Sequence, residues 1–182
     1  GSLDNTLKLW EVSNGREIRT FTGHSQAVNS VVFSPDGRYA LSGSSDNTLK
    51  LWEVSSGREI RTLTGHSSVV KSVAFSSDGA YVLSGSSDQA VKLWDISSGR
   101  EIRTFTGHSD MVVSVKFSPN DRYVLSGSQN STIRLWETNS GLLVRTISGI
   151  DWSLQTLDFS PDGTRILYGS LDGAIRLCET AT

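Results

Sequence analysis

Trp10, Trp52, Trp94 and Trp136 each stand 42 residues after the last, and the next step of the same length falls on Cys178. Gly-His pairs keep that beat at Gly23-His24, Gly65-His66 and Gly107-His108, and the fourth step gives Gly149-Ile150. Residues 1–42 and 43–84 are about three-quarters identical, the likeness left by a recent duplication. The chain therefore divides into repeats 1–42, 43–84, 85–126 and 127–168 with a partial fifth at 169–182, and its opening "GSLDNTLKLW" returns near its end as "GSLDGAIRLC". A fixed period of this length means one supersecondary unit stacked on copies of itself. The expectation is a single domain over 1–182.

Within a unit the local signals are those of strands. "AVNSVVFS" is β-branched and aromatic, and "PDG" then turns the chain, with Pro presetting φ and Gly accepting a positive φ. "RYALSGS" follows, then the turn "SDN", then "TLKLWEV", in which Leu49 and Leu51 alternate with Lys50 and Trp52. "SSG" leads into "REIRTLTGH". Each unit thus carries four short strands with hairpin connections, and helical periodicity is absent at useful length. A lone four-stranded sheet leaves apolar residues on both faces, so each unit must pack against its neighbours.

Composition narrows the partners. The net charge is −2 and like charges do not cluster, so nothing points to nucleic acid or to an anionic membrane surface. No apolar stretch approaches a membrane span and no secretory signal opens the chain, which predicts a soluble, cytoplasmic protein. Cys178 is the single cysteine, which excludes an intrachain disulfide and a cysteine-based metal site. No cofactor is expected.

Gly-His, an Asp-containing turn and Trp followed by an acidic residue, at a period near 42, together resemble the WD-repeat family of β-propellers over the whole chain. The final pair is relaxed here to Trp10-Glu11, Trp52-Glu53, Trp94-Asp95 and Trp136-Glu137. The resemblance implies an all-β propeller of four-stranded antiparallel blades, about four per chain. It also implies that each sequence repeat supplies the outer strand of one blade and the three inner strands of the next. On that scheme the chain holds a third and fourth strand, three whole blades, and then a first, second and third strand. A second copy is expected to complete an eight-bladed ring as a homodimer, with one surplus third strand at each seam. Of the two candidates, "NTLKLWEV" keeps Trp10 where "GAIRLCET" has Cys178, which favours the N-terminal copy pairing near the partner's second strand at Ile166.

The family's hydrogen-bonded set of His, Ser or Thr, Asp and Trp maps by resemblance onto His24, Ser42, Asp46 and Trp52, and again onto His66, Ser84, Asp88 and Trp94. The third unit keeps His108, Ser126 and Trp136 but has Asn130 for the Asp, and the fourth keeps only Asp172. Ser, His and Asp together invite a hydrolase reading. Catalysis, however, needs one constellation with a reachable nucleophile and an oxyanion hole, whereas this set recurs once per unit, so a structural role is the stronger reading. Three His spaced 42 apart fall in three different blades and make no metal site. The "SGSSD" glycines lack the Gly-Lys-Ser/Thr of a phosphate loop.

Function then falls to positions that differ between units at one end of the blades. Val69, Lys71, Met111, Val113, Trp152 and Leu171 are the candidate partner contacts, with Met111 the only methionine and Trp152 out of phase with the other tryptophans. The expected function is a non-enzymatic scaffold for protein–protein interaction that self-assembles into a closed propeller. Two rivals are a hydrolase or lyase with its site in a central channel, and an engineered or duplicated propeller fragment with no partner of its own.

Overall fold

In a computed structural model of the chain, residues 1–149 and 153–180 are described. They form antiparallel sheets joined by tight turns. Three sheets have four strands. The first contains β3 (Val28–Phe33), β4 (Tyr39–Ser44), β5 (Leu49–Glu53) and β6 (Glu59–Leu63), running outward in chain order. The second contains β7 (Val70–Phe75), β8 (Tyr81–Ser86), β9 (Val91–Asp95) and β10 (Glu101–Phe105), and the third β11 (Val112–Phe117), β12 (Tyr123–Ser128), β13 (Ile133–Glu137) and β14 (Leu143–Ile147). A pair, β1 (Leu7–Trp10) and β2 (Glu17–Phe21), precedes them, and a triplet, β15 (Leu154–Phe159), β16 (Arg165–Ser170) and β17 (Ile175–Glu179), follows. The architecture is a β-propeller array of about four blades.

The repeat fixes register as well as strand number. Leu41 faces Leu51 across β4 and β5, as Leu83 faces Leu93 and Leu125 faces Leu135 in the next two blades. Each first hairpin carries the same irregularity two residues into its inner strand, at Val28/Ser30, Val70/Ser72, Val112/Ser114 and Leu154/Thr156. The second strand of each four-stranded blade is buried along most of its length because it is central in its sheet and both of its faces are covered.

Blades pack front to back. Leu41, Leu49, Leu51 and Leu63 meet Val70, Val73, Val82 and Trp94 of the next blade, and the same contact recurs from the second blade to the third around Val115 and Trp136. It recurs again between Leu125, Ile133 and Leu135 of the third blade and Leu154, Leu157 and Ile166 of the triplet, while Leu7 and Phe21 of the pair cover Val28, Ala40 and Trp52. Approach is close at Gly43, where an added Cβ would lie 2.6 Å from a methyl of Val70, and at Gly127, where it would lie 2.5 Å from a methyl of Leu154. The inner strands β3, β7, β11 and β15 are successive neighbours. They are also tied by hydroxyls: Ser30, Ser72 and Ser114 Oγ accept from the backbone N–H of Val73, Val115 and Leu157 at 3.2, 3.1 and 3.3 Å.

Candidate functional site

The loop before β3 and the turn before β5 converge on one buried oxygen. Ser42 Oγ lies 2.7 Å from His24 Nε2 and accepts the indole N–H of Trp52 at 2.8 Å. His24 Nδ1 lies 2.8 Å from Asp46 Oδ2, which also accepts from the Ser25 N–H at 3.0 Å. The other carboxylate oxygen accepts from the N–H and the hydroxyl of Thr48, at 3.0 and 2.6 Å. These partners assign the protons. The carboxylate requires Nδ1–H. Burial pushes the His24 pKa below the usual imidazole range against the pull of Asp46, and in the neutral ring this leaves Nε2 as the acceptor, within reach of the Ser42 hydroxyl. Burial also pushes Asp46 up, but the hydrogen bonds from Thr48, His24 and Ser25 outweigh it and hold the carboxyl at about 2.

The second blade repeats the set. His66 lies 2.7 Å from both Asp88 and Ser84, and Trp94 donates to Ser84 at 2.8 Å. In the third blade His108 reaches Ser126 at 2.7 Å and Trp136 donates to that oxygen at 2.8 Å, but Asn130 turns its amide to Ser109 Oγ. His108 Nδ1 is left with Thr132 Oγ1 at 3.3 Å. Burial, with the Arg134 guanidinium nearby and no carboxylate to oppose them, pushes His108 down to about 4. In the triplet Asp172 pairs instead with Arg176 and accepts from Ser170 Oγ, while Tyr168 is buried in the serine position.

Asp, His and Ser stand in the order and at the distances of a hydrolytic triad. The serine is nevertheless fully buried, and its oxygen already accepts an indole N–H. That oxygen offers no approach to an acyl group, and its hydrogen bonds tie loop to turn. Among the described residues no group of three or more His, Cys, Asp or Glu is placed to hold a metal ion.

The candidate partner contacts gather where the loops before the inner strands meet the turns after the second strands. The Ser87 N–H donates to the Val69 carbonyl and the Gln129 N–H to the Met111 carbonyl, both at 2.9 Å, and the Leu171 N–H donates to the Ser153 carbonyl at 3.0 Å. Val69, Lys71 and Met111 are half-buried at this end and Leu171 is exposed. Val113 packs against the cluster between the third blade and the triplet. Trp152 lies outside the described residues. Asn29, at the position of Lys71 and Val113, donates to the Val70 carbonyl of the next blade at 2.9 Å.

At the opposite side of each blade lies a feature that sequence reasoning missed. Arg19 donates through Nη1 and Nη2 to the carbonyls of Ser56 and Ser55, both at 2.8 Å. Arg61 grips Ser98 and Ser97 in the same way, and Arg103 grips Ser140 and Asn139. The signal was present as an arginine in each "REIRT" at the 42-residue beat.

Residues 15–53, 57–95, 99–137 and 141–179 each match the WD40 family, described as WD domain, G-beta repeat. The chain belongs to the WD40 family. It is 45% identical over 42 residues to a Lissencephaly-1 homolog of Heterostelium pallidum, a match covering 23% of this chain and 10% of that protein. It is 53% identical over 38 residues to the F-box-like/WD repeat-containing protein TBL1X of Mus musculus, covering 21% of this chain and 7% of that protein. It is 50% identical over 42 residues to the nuclear distribution protein nudF 2 of Penicillium rubens, covering 23% and 9%. Each match is about one repeat long and spans about a tenth of the relative or less. Among the described residues of this WD40 chain, no helix is long and apolar enough to cross a membrane.

Proposed function

We propose that this WD40 chain is a non-enzymatic, cytoplasmic scaffold for protein–protein interaction, and that two copies close into one eight-bladed propeller. Its loop end, with Val69, Lys71, Met111 and Leu171, is the surface offered to other proteins. A rigid ring presenting different side chains on repeated loops suits such a role better than catalysis, since each Ser-His-Asp set is sealed beneath its tryptophan.

One observation carries the self-assembly. Leu41, Leu83 and Leu125 are 0% exposed beneath the following blade, whereas Leu167, the same position in the triplet, is 45% exposed. The complementary surface is bare at the other flank. Val31, equivalent to the buried Val73, Val115 and Leu157, is 44% exposed, and it lines an open apolar groove with Leu7, Phe21, Phe33 and Ala40. The chain therefore carries both halves of a contact that it makes internally between successive blades. A second copy would supply the same contact at each flank. The pair β1–β2 and the triplet offer more strands than one blade needs, and two such seams related by a two-fold axis close the ring.

Light scattering after gel filtration tests the assembly. The expected particle has twice the 19.8 kDa mass of the chain. A monomer at micromolar concentration overturns it and leaves the exposed flanks to further blades of a longer chain. Partner binding is tested by exchanging Val69, Met111 and Leu171 for Ser in the assembled protein. Capture of a protein partner by the parent protein and its loss in the variant support the scaffold, and equal capture by both refutes this surface.

A further inference from the structure

The arginine grip at the blade rim has a glycine beside it at each junction. An added Cβ on Gly57, Gly99 or Gly141 would lie 2.6, 2.5 or 2.7 Å from Cδ of Arg19, Arg61 or Arg103. The turn at Ser13-Asn14-Gly15 has the same sequence position and also a positive φ at its glycine, but nothing lies within 4 Å of the Gly15 Cβ position. It is a receiving turn that holds no arginine. Among the described residues the fourth arginine of the series, Arg145, reaches the carbonyls of Glu179 and Thr180 through Nη1, at 2.9 and 3.2 Å, and the turn positions equivalent to Ser55 and Ser56, residues 181 and 182, lie outside them.

We propose that in the assembled ring Arg145 of one copy grips the Ser13 and Asn14 carbonyls of the other beside Gly15, and that β17 gives way to the incoming β1. The inference rests on the dimer reading and adds which strands form the seam: β15 and β16 from one copy, β1 and β2 from the other. One further observation favours β1 over β17 in that slot, and a second joins the flanks near the axis. Trp94 and Trp136 cover Leu63 and Phe105, which are 1% exposed, but Ile147 at the same position lies only half-buried under Cys178. Trp10, 51% exposed in the single chain, supplies the missing indole. Near the axis, Val31 repeats the position of the N–H groups that bond Ser30, Ser72 and Ser114, and Thr156 carries the matching hydroxyl. The rim grip, the apolar contact and the axial hydroxyl thus each have one half on either flank.

The test uses the full chain and two readouts. The dimer dissociation constant, measured by sedimentation, is expected to rise about tenfold or more for Arg145→Ala and for Gly15→Ala. The double variant should be no weaker than Arg145→Ala alone, because both changes empty the same grip. Gly37→Ala, at a glycine with φ of 70° and nothing within 4 Å, controls for backbone strain and should leave the constant unchanged. The second readout is the thiol of Cys178, half-buried in the single chain. It should react with a disulfide reagent faster in the wild-type dimer than in the same protein diluted to monomer, because β17 has been released. A wild-type monomer at every concentration removes the dimer reading itself. A wild-type dimer that is insensitive to Arg145→Ala, or whose thiol becomes more protected on association, overturns only this seam.

Discussion

Trp52 and Ser42 meet across β4 and β5 with the indole N–H donating to Oγ at 2.8 Å, and that single oxygen also serves His24. Trp52→Phe removes the donor and some packing volume at once. A double-mutant cycle with Ser42→Ala separates the two, because loss of volume persists in the double variant and loss of the hydrogen bond does not. Each single change is expected to cost about 2–4 kcal/mol in urea unfolding, with a coupling of about 1–2 kcal/mol between them. Additive costs would show that the bond contributes nothing beyond packing.

The histidines make stability depend on pH with a sign that can be worked out. His108 is held at about 4 in the folded chain, well below the imidazole of an unfolded one. Between about pH 6.5 and 4 the unfolded state therefore binds more protons, so stability is full above that window and falls as the pH drops through it. The His108 share is on the order of 3 kcal/mol, and His24 and His66, also lowered by burial, add to it in the same direction. Asn130→Asp restores the carboxylate found beside those two. It should raise stability at pH 7 by about 1 kcal/mol and flatten the slope between pH 7 and 5, since the new charge favours protonated His108. Urea midpoints at the two pH values check this, and an unchanged slope would count against the environment described for His108.

The 42-residue beat made strand number legible, because turn residues and the tryptophans recur at fixed positions. The division of those strands into a pair, three whole blades and a triplet came from the resemblance to WD repeats, since the count alone does not say where one blade ends. What the beat could not separate is function from repetition. Arg19 and Glu17 both recur in three successive units, and only the folded chain shows that Arg19 crosses to carbonyls 36 and 37 residues away. Val113 shares its repeat position with Asn29 and Lys71, and its apolar side chain lies against the cluster between the third blade and the triplet, a contact that spacing does not reveal. Thr48 on Asp46 was equally silent, since its hydroxyl matters only once the turn before β5 has closed.

Turn chemistry offers a stabilising change. Asn5, Asn47, Gln89, Ser131 and Gly173 occupy one turn position, each with φ between 65° and 78°. Asn and Gly adopt that left-handed conformation readily, whereas serine carries a steric cost of about 1–2 kcal/mol. Ser131→Gly relieves it and gives back about 0.5–1 kcal/mol through added freedom of the unfolded chain. The expected net gain is about 0.5 kcal/mol, read as a higher urea midpoint with an unchanged slope. A loss would mean that the Ser131 side chain makes a contact outweighing its strain.

The rim grip can be tested inside the chain, independently of assembly. Gly99 and Gly37 share nearly the same φ, 73° and 70°, so alanine meets the same backbone strain at both. They differ in what the new methyl encounters. At Gly99 it would fall 2.5 Å from Cδ and 2.8 Å from Nη1 of Arg61, and at Gly37 it meets open space. Arg61 must then swing away and surrender its bonds to Ser97 and Ser98, each worth about 0.5–1.5 kcal/mol. Gly99→Ala is therefore expected to cost about 1–3 kcal/mol more than Gly37→Ala in urea unfolding. In an Arg61→Ala background that excess should vanish, leaving the two glycine positions equal. If the excess survives the loss of Arg61, the crowding at Gly99 has another source and the arginine is not what joins the blades at the rim.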